Sequence, residues 1–315
     1  MFTIDLYELS IFLQGVALEC IIHLYNKYIK EKLDMKKQRF LLASDIHWCH
    51  IDWYGVKTKD RMERFIRNIE EEYRREPFET LLFLGDYSLD HWQWDVKGSW
   101  ITKGVSNTKN FVDFISPRLK KLGVKFAMIA GNHEQFGEET WQRLTGFSRV
   151  DYVENNGCLF LLLDTFGANL DPIEHSDGTY CGVDVAFIEE TLSKYPNDKV
   201  ILCAHYFDIE KESQEFKKLI REKEQILCLC SGHVHKSNVV QLNEEWGNKV
   251  LLFTGQYSYS AENNPLDSMW GFREFIVSND GWESKYIVPE NTVCLDGVEV
   301  RKKRSYQDGY QSFFP

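Results

Sequence analysis

The sequence contains no Gly/Ser-rich or Pro-rich stretch and no internal repeat. Flexible linkers and repeat architectures carry such patterns, so we expect neither of them here. The chain has 315 residues, of which 43% are hydrophobic and 27% are charged, and it is long enough to bury a full core. We predict an arm at residues 1–34, one domain at 35–290 and a C-terminal tail at 291–315.

Basic residues are in the minority. The chain has 37 Lys and Arg against 48 Asp and Glu, which gives a formal net charge of −11. Proteins bind nucleic acids non-specifically through Lys and Arg side chains that neutralise phosphates. Long DNA or RNA is therefore a disfavoured partner. We interpret the basic run 301–304 as part of a solvated tail.

Long uninterrupted apolar runs are also lacking. The apolar stretch Leu9–Leu24 is interrupted by Gln14, Glu19 and His23, so we do not expect a membrane span. At helical spacing the polar residues of 1–34 fall on one narrow face, which predicts an amphipathic helix with a wide apolar side. The polar face lacks the basic bias of membrane-surface helices, so we expect the domain or a second copy of the chain, in a homo-oligomer, to cover the apolar side.

Cysteine pairs at metal-ligand spacing are absent. Four of the eight cysteines lie inside strongly apolar runs, where buried reduced thiols are the expected state: Cys158, Cys203, Cys228 and Cys230. Asp5 and Glu8 stand where a secretory signal would be positively charged. Without such a signal and with reduced thiols, the expected location is cytoplasmic.

From residue 39 onward the chain alternates short apolar runs with helical patterns. This alternation predicts an α/β protein with a mixed, two-sheet arrangement and helices outside. Helices are expected at 57–76, 106–122, 184–195 and 210–223. Strands are expected at 39–46, 80–85, 124–130, 158–164, 199–205, 226–231, 237–242, 249–254, 272–278 and 283–288.

Five short clusters of metal-ligand residues each follow an apolar run. In chain order they are Asp45-Ile46-His47, Gly85-Asp86, Gly131-Asn132-His133-Glu134, His205 and Gly232-His233-Val234-His235. A single Asp-x-His or His-x-His arises easily by chance, whereas five clusters at five strand ends do not. Open α/β sheets bind ligands at the carboxyl edge of their strands.

The donor chemistry of these clusters points to transition metals. Imidazole nitrogens with carboxylate and amide oxygens, and no thiolate, suit Mn, Fe, Zn, Co or Ni. Seven candidate ligands would crowd one ion, but two ions that share Asp86 would use all of them. The sequence therefore predicts a binuclear centre.

The set resembles the calcineurin-like metallophosphoesterases, whose pattern is Asp-x-His, Gly-Asp, Gly-Asn-His-Glu/Asp, His and Gly-His-x-His. The resemblance covers residues 39–288 and implies a four-layer α-β-β-α sandwich. It also implies that His133 meets the phosphate and protonates the leaving oxygen, while Glu134 supports that loop. It implies one metal on Asp45, His47, Asp86 and His235, and a second on Asp86, Asn132, His205 and His233.

Departures from the family pattern indicate which branch of the calcineurin-like metallophosphoesterases the chain resembles. The segment 85–91 lacks the Arg-Gly of the phosphoprotein phosphatases, and Leu89 stands where purple acid phosphatases have a tyrosine. The chain looks more like the branch with class III cyclic-nucleotide phosphodiesterases and glycerophosphodiesterases. In many relatives an acid three residues after the bridging Asp orients the His133 equivalent; here the acid is Asp90, four residues on, and a local bulge would be needed to bring it to His133.

Aromatic residues follow the second cluster. His91 and Trp92 begin a stretch with Trp94 and Trp100 that could stack a nucleobase, cover the site or form a small satellite core. The candidate substrate-binding residues are His91, Trp92, Asn132 and His133. A second candidate wall runs from residue 256 through Trp270.

The resemblance implies hydrolysis of a small phosphorylated substrate with two divalent ions (Mn²⁺, Fe²⁺/Fe³⁺ or Zn²⁺), through attack by a metal-bridging hydroxide. We favour a small phosphodiester, such as a cyclic nucleotide or a glycerophosphodiester. A phosphomonoesterase is the near alternative because the same metals serve both reactions. A nuclease lacks support from the net charge, and a non-catalytic phospho-ligand sensor would usually have lost ligands that this chain keeps.

Overall fold

The computed structural model describes residues 37–49, 51–89, 106–168, 170, 177–259, 269–295 and 298–314. The predicted arm, Asp90, His91, Trp92 and the aromatic stretch that follows them lie outside these residues, and what we expect of them stays a prediction. No helix in the described ranges combines the length and the apolar character needed to cross a membrane.

The first sheet has six strands in the order β14-β11-β10-β1-β2-β3. Strands β1, β2 and β3 run parallel, and β10, β11 and β14 extend the sheet antiparallel from β1. Their bounds are Gln38–Ala43 for β1, Thr80–Leu84 for β2, Lys125–Ile129 for β3, Phe272–Val277 for β10, Gly281–Val288 for β11 and Ser305–Phe313 for β14.

The second sheet also has six strands, in the order β4-β5-β6-β7-β9-β8. Here β5, β6, β7 and β9 are parallel, while β4 and β8 pair antiparallel at the two edges. The bounds are Asp151–Asn155 for β4, Cys158–Leu163 for β5, Lys199–Ala204 for β6, Ile226–Ser231 for β7, Ser237–Gln241 for β8 and Val250–Thr254 for β9. A separate hairpin joins β12, Asn291–Leu295, to β13, Val298–Lys302.

Five helices flank the sheets in the described ranges, together with a short 3-10 helix at Glu244–Trp246. Helices α1, α2 and α3 pack with the first sheet, and α4 and α5 with the second. They span Thr58–Arg75, Ser106–Leu122, Glu138–Thr145, Val185–Lys194 and Gln214–Glu222 in that order.

The central strands are apolar throughout because both of their faces are buried. Leu41 of β1 points into the cluster shared with α1 and α2, whereas Phe40 points into the cluster between the sheets. Phe160 of β5 meets Phe40 there, with ring centroids 4.6 Å apart. Continuous apolar strands of this kind are typical of sheets covered on both sides. The predicted four-layer α-β-β-α sandwich is confirmed.

The C-terminal segment differs from the prediction of a solvated tail. Strand β14 pairs antiparallel with β11 and forms the edge of the first sheet. Arg304, from the basic run, donates from Nε to Glu72 Oε1 at 2.6 Å, and Arg273 pairs with Asp308 at 2.9 Å. A tail interpretation missed the first of these contacts because Arg304 finds its buried partner, Glu72, only in the folded chain.

Candidate metal centre

All five ligand clusters follow the carboxyl ends of parallel strands. Because β1, β2 and β3 are parallel in one sheet and β6 and β7 in the other, their carboxyl ends meet at one edge of the sandwich. The clusters follow β1 (Asp45, His47), β2 (Asp86), β3 (Asn132, His133), β6 (His205) and β7 (His233, His235).

The backbone at these positions is unusual. Five candidate ligands have left-handed φ values between 47° and 69°: Asp45, His47, Asp86, His233 and His235. Positive φ is uncommon for residues other than glycine, and such conformations concentrate at functional sites. Hydrogen bonds between the loops hold them, including the N–H of Asp45 to the carbonyl of Gly85 at 3.1 Å and the N–H of His47 to that of Asp86 at 3.0 Å.

The first group of donors is Asp45, His47 and His235. His235 Nε2 lies 3.1 Å from Asp45 Oδ1 and 3.2 Å from His47 Nε2. The other carboxylate oxygen, Asp45 Oδ2, accepts hydrogen bonds from Ser44 Oγ at 2.6 Å and the His233 N–H at 3.0 Å. Asp45 Oδ1 is buried without a hydrogen-bond partner among the described residues. This anionic oxygen faces the His235 imidazole, with which it can share a bound cation.

The second group is Asp86, Asn132, His205 and His233. His205 Nε2 lies 3.1 Å from Asp86 Oδ2 and 2.9 Å from Asn132 Oδ1, which is 3.0 Å from His233 Nδ1. His205 Nδ1 donates to the Leu84 carbonyl at 2.7 Å, which leaves Nε2 for the centre. Asp86 Oδ2 is also 3.9 Å from His47 Nε2, so Asp86 lies between the two groups.

These donors fit divalent metal ions. The ligand atoms of Asp45, His47 and His235 converge within 4.8 Å of one another, and so do those of Asp86, His205 and His233. Imidazole and carboxylate donors are those that Mn, Fe and Zn accept. The orphaned Asp45 Oδ1 is the kind of buried anionic atom that a cation satisfies. The seven predicted ligands are thus brought together, and their individual assignments stay predictions.

The protonation equilibria keep Asp45 and Asp86 anionic but leave a proton on His205 that an ion must displace. Burial alone would raise the pKa values of Asp45 and Asp86, but the neighbouring histidines, His235 and His205 foremost, outweigh it and hold both pKa values well below the ordinary range. Burial would lower the pKa of His205, yet Asp86 overcomes it and raises that pKa to about 9. Burial and the charge of His205 lower the pKa of His233 to about 4. Both carboxylates are therefore anionic at neutral pH.

The loop after β3 carries His133 and Glu134. The Glu134 carboxylate accepts the N–H groups of Gly131 at 2.8 Å, Asp86 at 2.9 Å and Tyr87 at 3.0 Å. Burial and the charge of Asp86 nevertheless raise the pKa of Glu134 to about 8. Glu134 thus ties this loop to the Asp86 loop, which is the supporting contact expected from the sequence.

His133 lies at the edge of the donor cluster. Its N–H donates to Asp86 Oδ1 at 3.1 Å, and its Nε2 is 3.6 Å from Asp86 Oδ2. His133 also belongs to a third converging group, with His47 and Asp86. This position suits a proton donor next to bound phosphate, and it also suits a ligand. The metal content of a His133 variant separates the two roles.

Motif glycines allow the loops to approach closely. A Cβ on Gly131 would meet Asp86 Oδ1 at 2.1 Å, far inside van der Waals contact. Gly85 has φ 90°, and a Cβ there would meet His205 Nδ1 at 2.5 Å. Any side chain at either position would displace a candidate ligand, which is why glycine precedes Asp86 and Asn132.

A buried arginine that the sequence did not single out supports the first loop. Arg61 of α1 is 0% exposed. Its guanidinium donates to the carbonyl of Ile46, to that of His47 at 2.9 Å and to that of Tyr257 at 2.6 Å. It thus holds the backbone of His47, a candidate ligand, in place. No local pattern reveals this, because its partners lie up to 196 residues away.

A second arginine, also missed, supports the His133 loop. Arg149 Nη1 donates to the carbonyls of Glu134 and Phe136, both at 2.9 Å. Its Nε donates to Asp164 Oδ2 at 2.6 Å, and both side chains are 6% exposed. Asp164 directly follows β5. This ion pair therefore ties the His133 loop to the carboxyl edge of the second sheet.

The predicted aromatic wall at 256–270 divides into two environments. Tyr257 and Trp270 are buried at 0% and 3% exposure and stack in the core beside α1. Tyr259 instead lies against the candidate ligands, and its carbonyl accepts a hydrogen bond from His235 Nδ1 at 3.0 Å. Of these three aromatic residues, Tyr259 is the one that faces the centre.

Comparisons with known proteins agree with this geometry. Residues 38–237 match the family described as calcineurin-like phosphoesterase. The probable glycerophosphodiester phosphodiesterase GpdQ of Arcobacter nitrofigilis is 29% identical over 153 residues, which cover 43% of this chain. The match covers 53% of that relative, so the chain spans about half its length.

Solved structures share the fold. A dimetal phosphatase from Danio rerio superposes with a TM-score of 0.58 at 12% identity, over 85% of this chain and 98% of that one. A purple acid phosphatase, PPD1 of yellow lupin, gives a TM-score of 0.54 at 13% identity, over 88% of this chain and 53% of that one. The five motifs, their convergence at one sheet edge and the family match lead to one conclusion: the chain belongs to the calcineurin-like phosphoesterase family.

Proposed function

We propose that this protein is a metal-dependent phosphoesterase that uses two divalent ions to hydrolyse a small phosphodiester. The observation that carries the proposal is the convergence of seven donor side chains in two groups around Asp86. One ion would be held by Asp45, His47, Asp86 and His235, and the other by Asp86, Asn132, His205 and His233. Mn²⁺, Fe²⁺/Fe³⁺ and Zn²⁺ all suit these donors.

Two divalent ions held by these residues would supply Lewis acidity toward the phosphoryl oxygens and would activate water for attack on phosphorus at neutral pH. The protein side chains position the ions and the substrate. Asp86, anionic and between the two donor groups, sets their spacing. Asn132 and His133 stand beside it to contact the phosphoryl group, and Glu134 keeps their loop in place through three backbone hydrogen bonds.

His133 is the proposed general acid. When the ester bond to phosphorus breaks, the departing alkoxide needs a proton, and protonated His133 Nε2 at the edge of the centre supplies it. A positioned general acid of this kind typically contributes about 10²–10⁴-fold to the rate. The pairing of Asp90 with His133 belongs to the same proposal.

A diester is favoured over a monoester by charge. A diester carries one negative charge where a monoester carries up to two, and this chain has a net charge of −11. The two arginines that support the centre are buried and bonded to backbone carbonyls, so they do not present their charge to a substrate. The name of the Arcobacter relative, a probable glycerophosphodiester phosphodiesterase, supports the same choice.

The test compares bis(p-nitrophenyl) phosphate with p-nitrophenyl phosphate, with Mn²⁺ and with chelator, for the natural chain, Asp86→Asn and the control Asp280→Asn. Asp280 is exposed in the turn between β10 and β11. We expect metal-dependent diester hydrolysis that Asp86→Asn abolishes and Asp280→Asn retains. Monoester preference would indicate a phosphatase instead. No turnover of either compound with two ions bound would contradict both.

A further inference from the structure

Aromatic rings border the candidate centre on the side of its first donor group. The Tyr259 ring centroid lies 4.5 Å from that of His235 and 5.2 Å from that of His47. Trp53 packs on Tyr259 with centroids 4.5 Å apart. Both side chains are half-buried. We call this pair the Tyr259 wall.

Rings also border the second donor group. Tyr206 lies 4.6 Å from His233, and Phe166 is 6.1 Å from both His205 and His233, measured between centroids. Tyr180 packs on Tyr206 at 5.8 Å. The centre is therefore an ionic cluster set between two aromatic surfaces.

Core packing does not account for the Tyr259 wall. Trp53 and Tyr259 belong to none of the three hydrophobic clusters formed by the described residues. Tyr257, two residues earlier, shows the alternative, because it is fully buried and stacked in the first cluster. Partly exposed aromatic rings beside convergent polar groups are typical of ligand-binding sites.

The charge at the opening limits what the rings could bind. Gly178 lies against Asn132, since an added Cβ would be 3.0 Å from its carbonyl oxygen, and the preceding residue is Asp177. Asp177 is thus one residue from a contact with the Asn132 loop, and burial and the charge of Asp86 raise its pKa. An acid there disfavours further negative charge on the substrate. A neutral substituent on the phosphate fits better than additional phosphates.

His133 and the Tyr259 wall lie next to the same candidate ligand, His47, and this connects the wall with the leaving alcohol of the substrate. The rings of His133 and Tyr259 both lie 5.2 Å from His47, so the proposed acid and the wall share a neighbour. We propose that the alcohol protonated by His133 departs beside this shared neighbour and that the Tyr259 wall binds a planar aromatic ring in that alcohol, which makes the preferred substrate a phosphodiester with a nucleoside-like substituent.

This inference rests on the proposed phosphodiesterase function, so its test measures binding without turnover. Adenosine 5′-monophosphate and ribose 5-phosphate differ at C1′, where the nucleotide carries adenine and the sugar phosphate a hydroxyl. Both can be titrated calorimetrically into protein loaded with Mn²⁺. Base stacking predicts that the nucleotide binds roughly 5- to 150-fold more tightly. Tyr259→Leu and Trp53→Leu should each reduce this ratio, whereas Tyr259→Phe, which keeps the ring, should preserve it. Tyr152→Leu, at a 36% exposed tyrosine on the edge strand β4, is the matched control.

Equal affinity for the two compounds in the natural chain would overturn the inference. A ratio that survives both leucine substitutions would also overturn it, as would glycerol 3-phosphate binding more tightly than the nucleotide. If Tyr259→Leu does not fold, Trp53→Leu and Tyr259→Phe still give opposite expectations. Nucleotide preference without hydrolysis of any ester would refute only the catalytic proposal, while hydrolysis without nucleotide preference would refute only the ring subsite.

Discussion

At the scale of single residues, the candidate centre is a set of strained backbones and buried charges. A residue in a sparsely populated conformation costs about 1–3 kcal/mol, and five candidate ligands have left-handed φ values. Hydrogen bonds between loops hold them there, as between the Gly232 N–H and the His205 carbonyl at 2.9 Å. The strain places donors from different strands at one point, which relaxed loops of this length would not do.

His133→Ala is the residue-scale prediction. If His133 is the proton donor, kcat should fall about 10²–10⁴-fold while two metal ions remain bound. The loss should be larger for an alkyl ester than for a nitrophenyl ester, because nitrophenolate departs without a proton. Steady-state kinetics and elemental analysis of the purified variant measure both quantities. Loss of one ion would make His133 a ligand, and unchanged kcat would remove it from the mechanism.

At the scale of elements, the loops depend on arginines brought from elsewhere in the fold. Arg61 projects from α1 to the loop after β1, and Arg149 joins the loop after β3 to Asp164 after β5. Each guanidinium satisfies backbone carbonyls that a curved loop cannot pair within itself. The loops are therefore positioned by rigid elements, which the narrow tolerances of catalysis require.

Arg149→Met should destabilise the fold strongly. It leaves the buried Asp164 carboxylate without its partner, and breaking a buried ion pair on one side costs about 3–5 kcal/mol. Adding Asp164→Leu should recover part of that loss, because it removes the unpaired carboxylate but leaves the carbonyls of Glu134 and Phe136 without the guanidinium. Urea unfolding measures both variants, with Arg143→Met at an exposed position of α3 as the control. A double variant no more stable than the single one would contradict the pairing.

Strand β14 gives a prediction for the C-terminal segment. Arg273 on β10 is 0% exposed and pairs with Asp308 on β14 at 2.9 Å. Asp308→Ala should lower the free energy of unfolding by about 1–3 kcal/mol, since the guanidinium loses a charged partner but keeps its backbone acceptors. Asp280→Ala, in the exposed turn nearby, should change it little. If the two variants unfold alike, the segment does not contribute as a strand.

At the scale of the whole molecule, metal affinity should depend on pH through His205. Its pKa is raised to about 9 in the metal-free protein, so below that pH a proton must leave before Nε2 can bind an ion. Affinity for the second ion should rise up to about tenfold per pH unit from 6.5 toward 9 and then level off. His233, whose pKa is lowered to about 4, is already neutral over this range and adds no slope.

Competition with a chelator of known pH dependence measures this affinity. The raised pKa of His205 also stabilises the metal-free fold. Protonated His205 contributes fully to the free energy of unfolding below pH 6.5, and that contribution is lost as pH rises through about 9. Ion binding and protonation thus exclude each other at one nitrogen. An affinity that does not change between pH 6.5 and 9 would contradict this assignment of His205.

Part of the fold could be predicted because its strands are buried on both faces and read as apolar runs. Elements without that signature were missed. Helix α3 has only eight residues and buries Trp141 alone, which is too short a signal to mark a helix in the sequence. Strand β4 is a short polar edge with alternating half-buried residues. Six of the nine residues of strand β14 are exposed, and its pairing with β11 is what makes it a strand.

The sequence by itself determined the donors and their order. Metal ions accept few side-chain types, and parallel strands bring their carboxyl ends to one edge, so seven residues at five strand ends point to a single centre. Only the tertiary structure decided which other groups join it. Arg61, Arg149 and the Tyr259 wall reach the site from distant segments, and Asp164 pairs with Arg149 across a bend in the chain. Such contacts depend on how the elements pack together. A single residue shows no periodicity in the sequence, so its tertiary contacts cannot be predicted from a pattern.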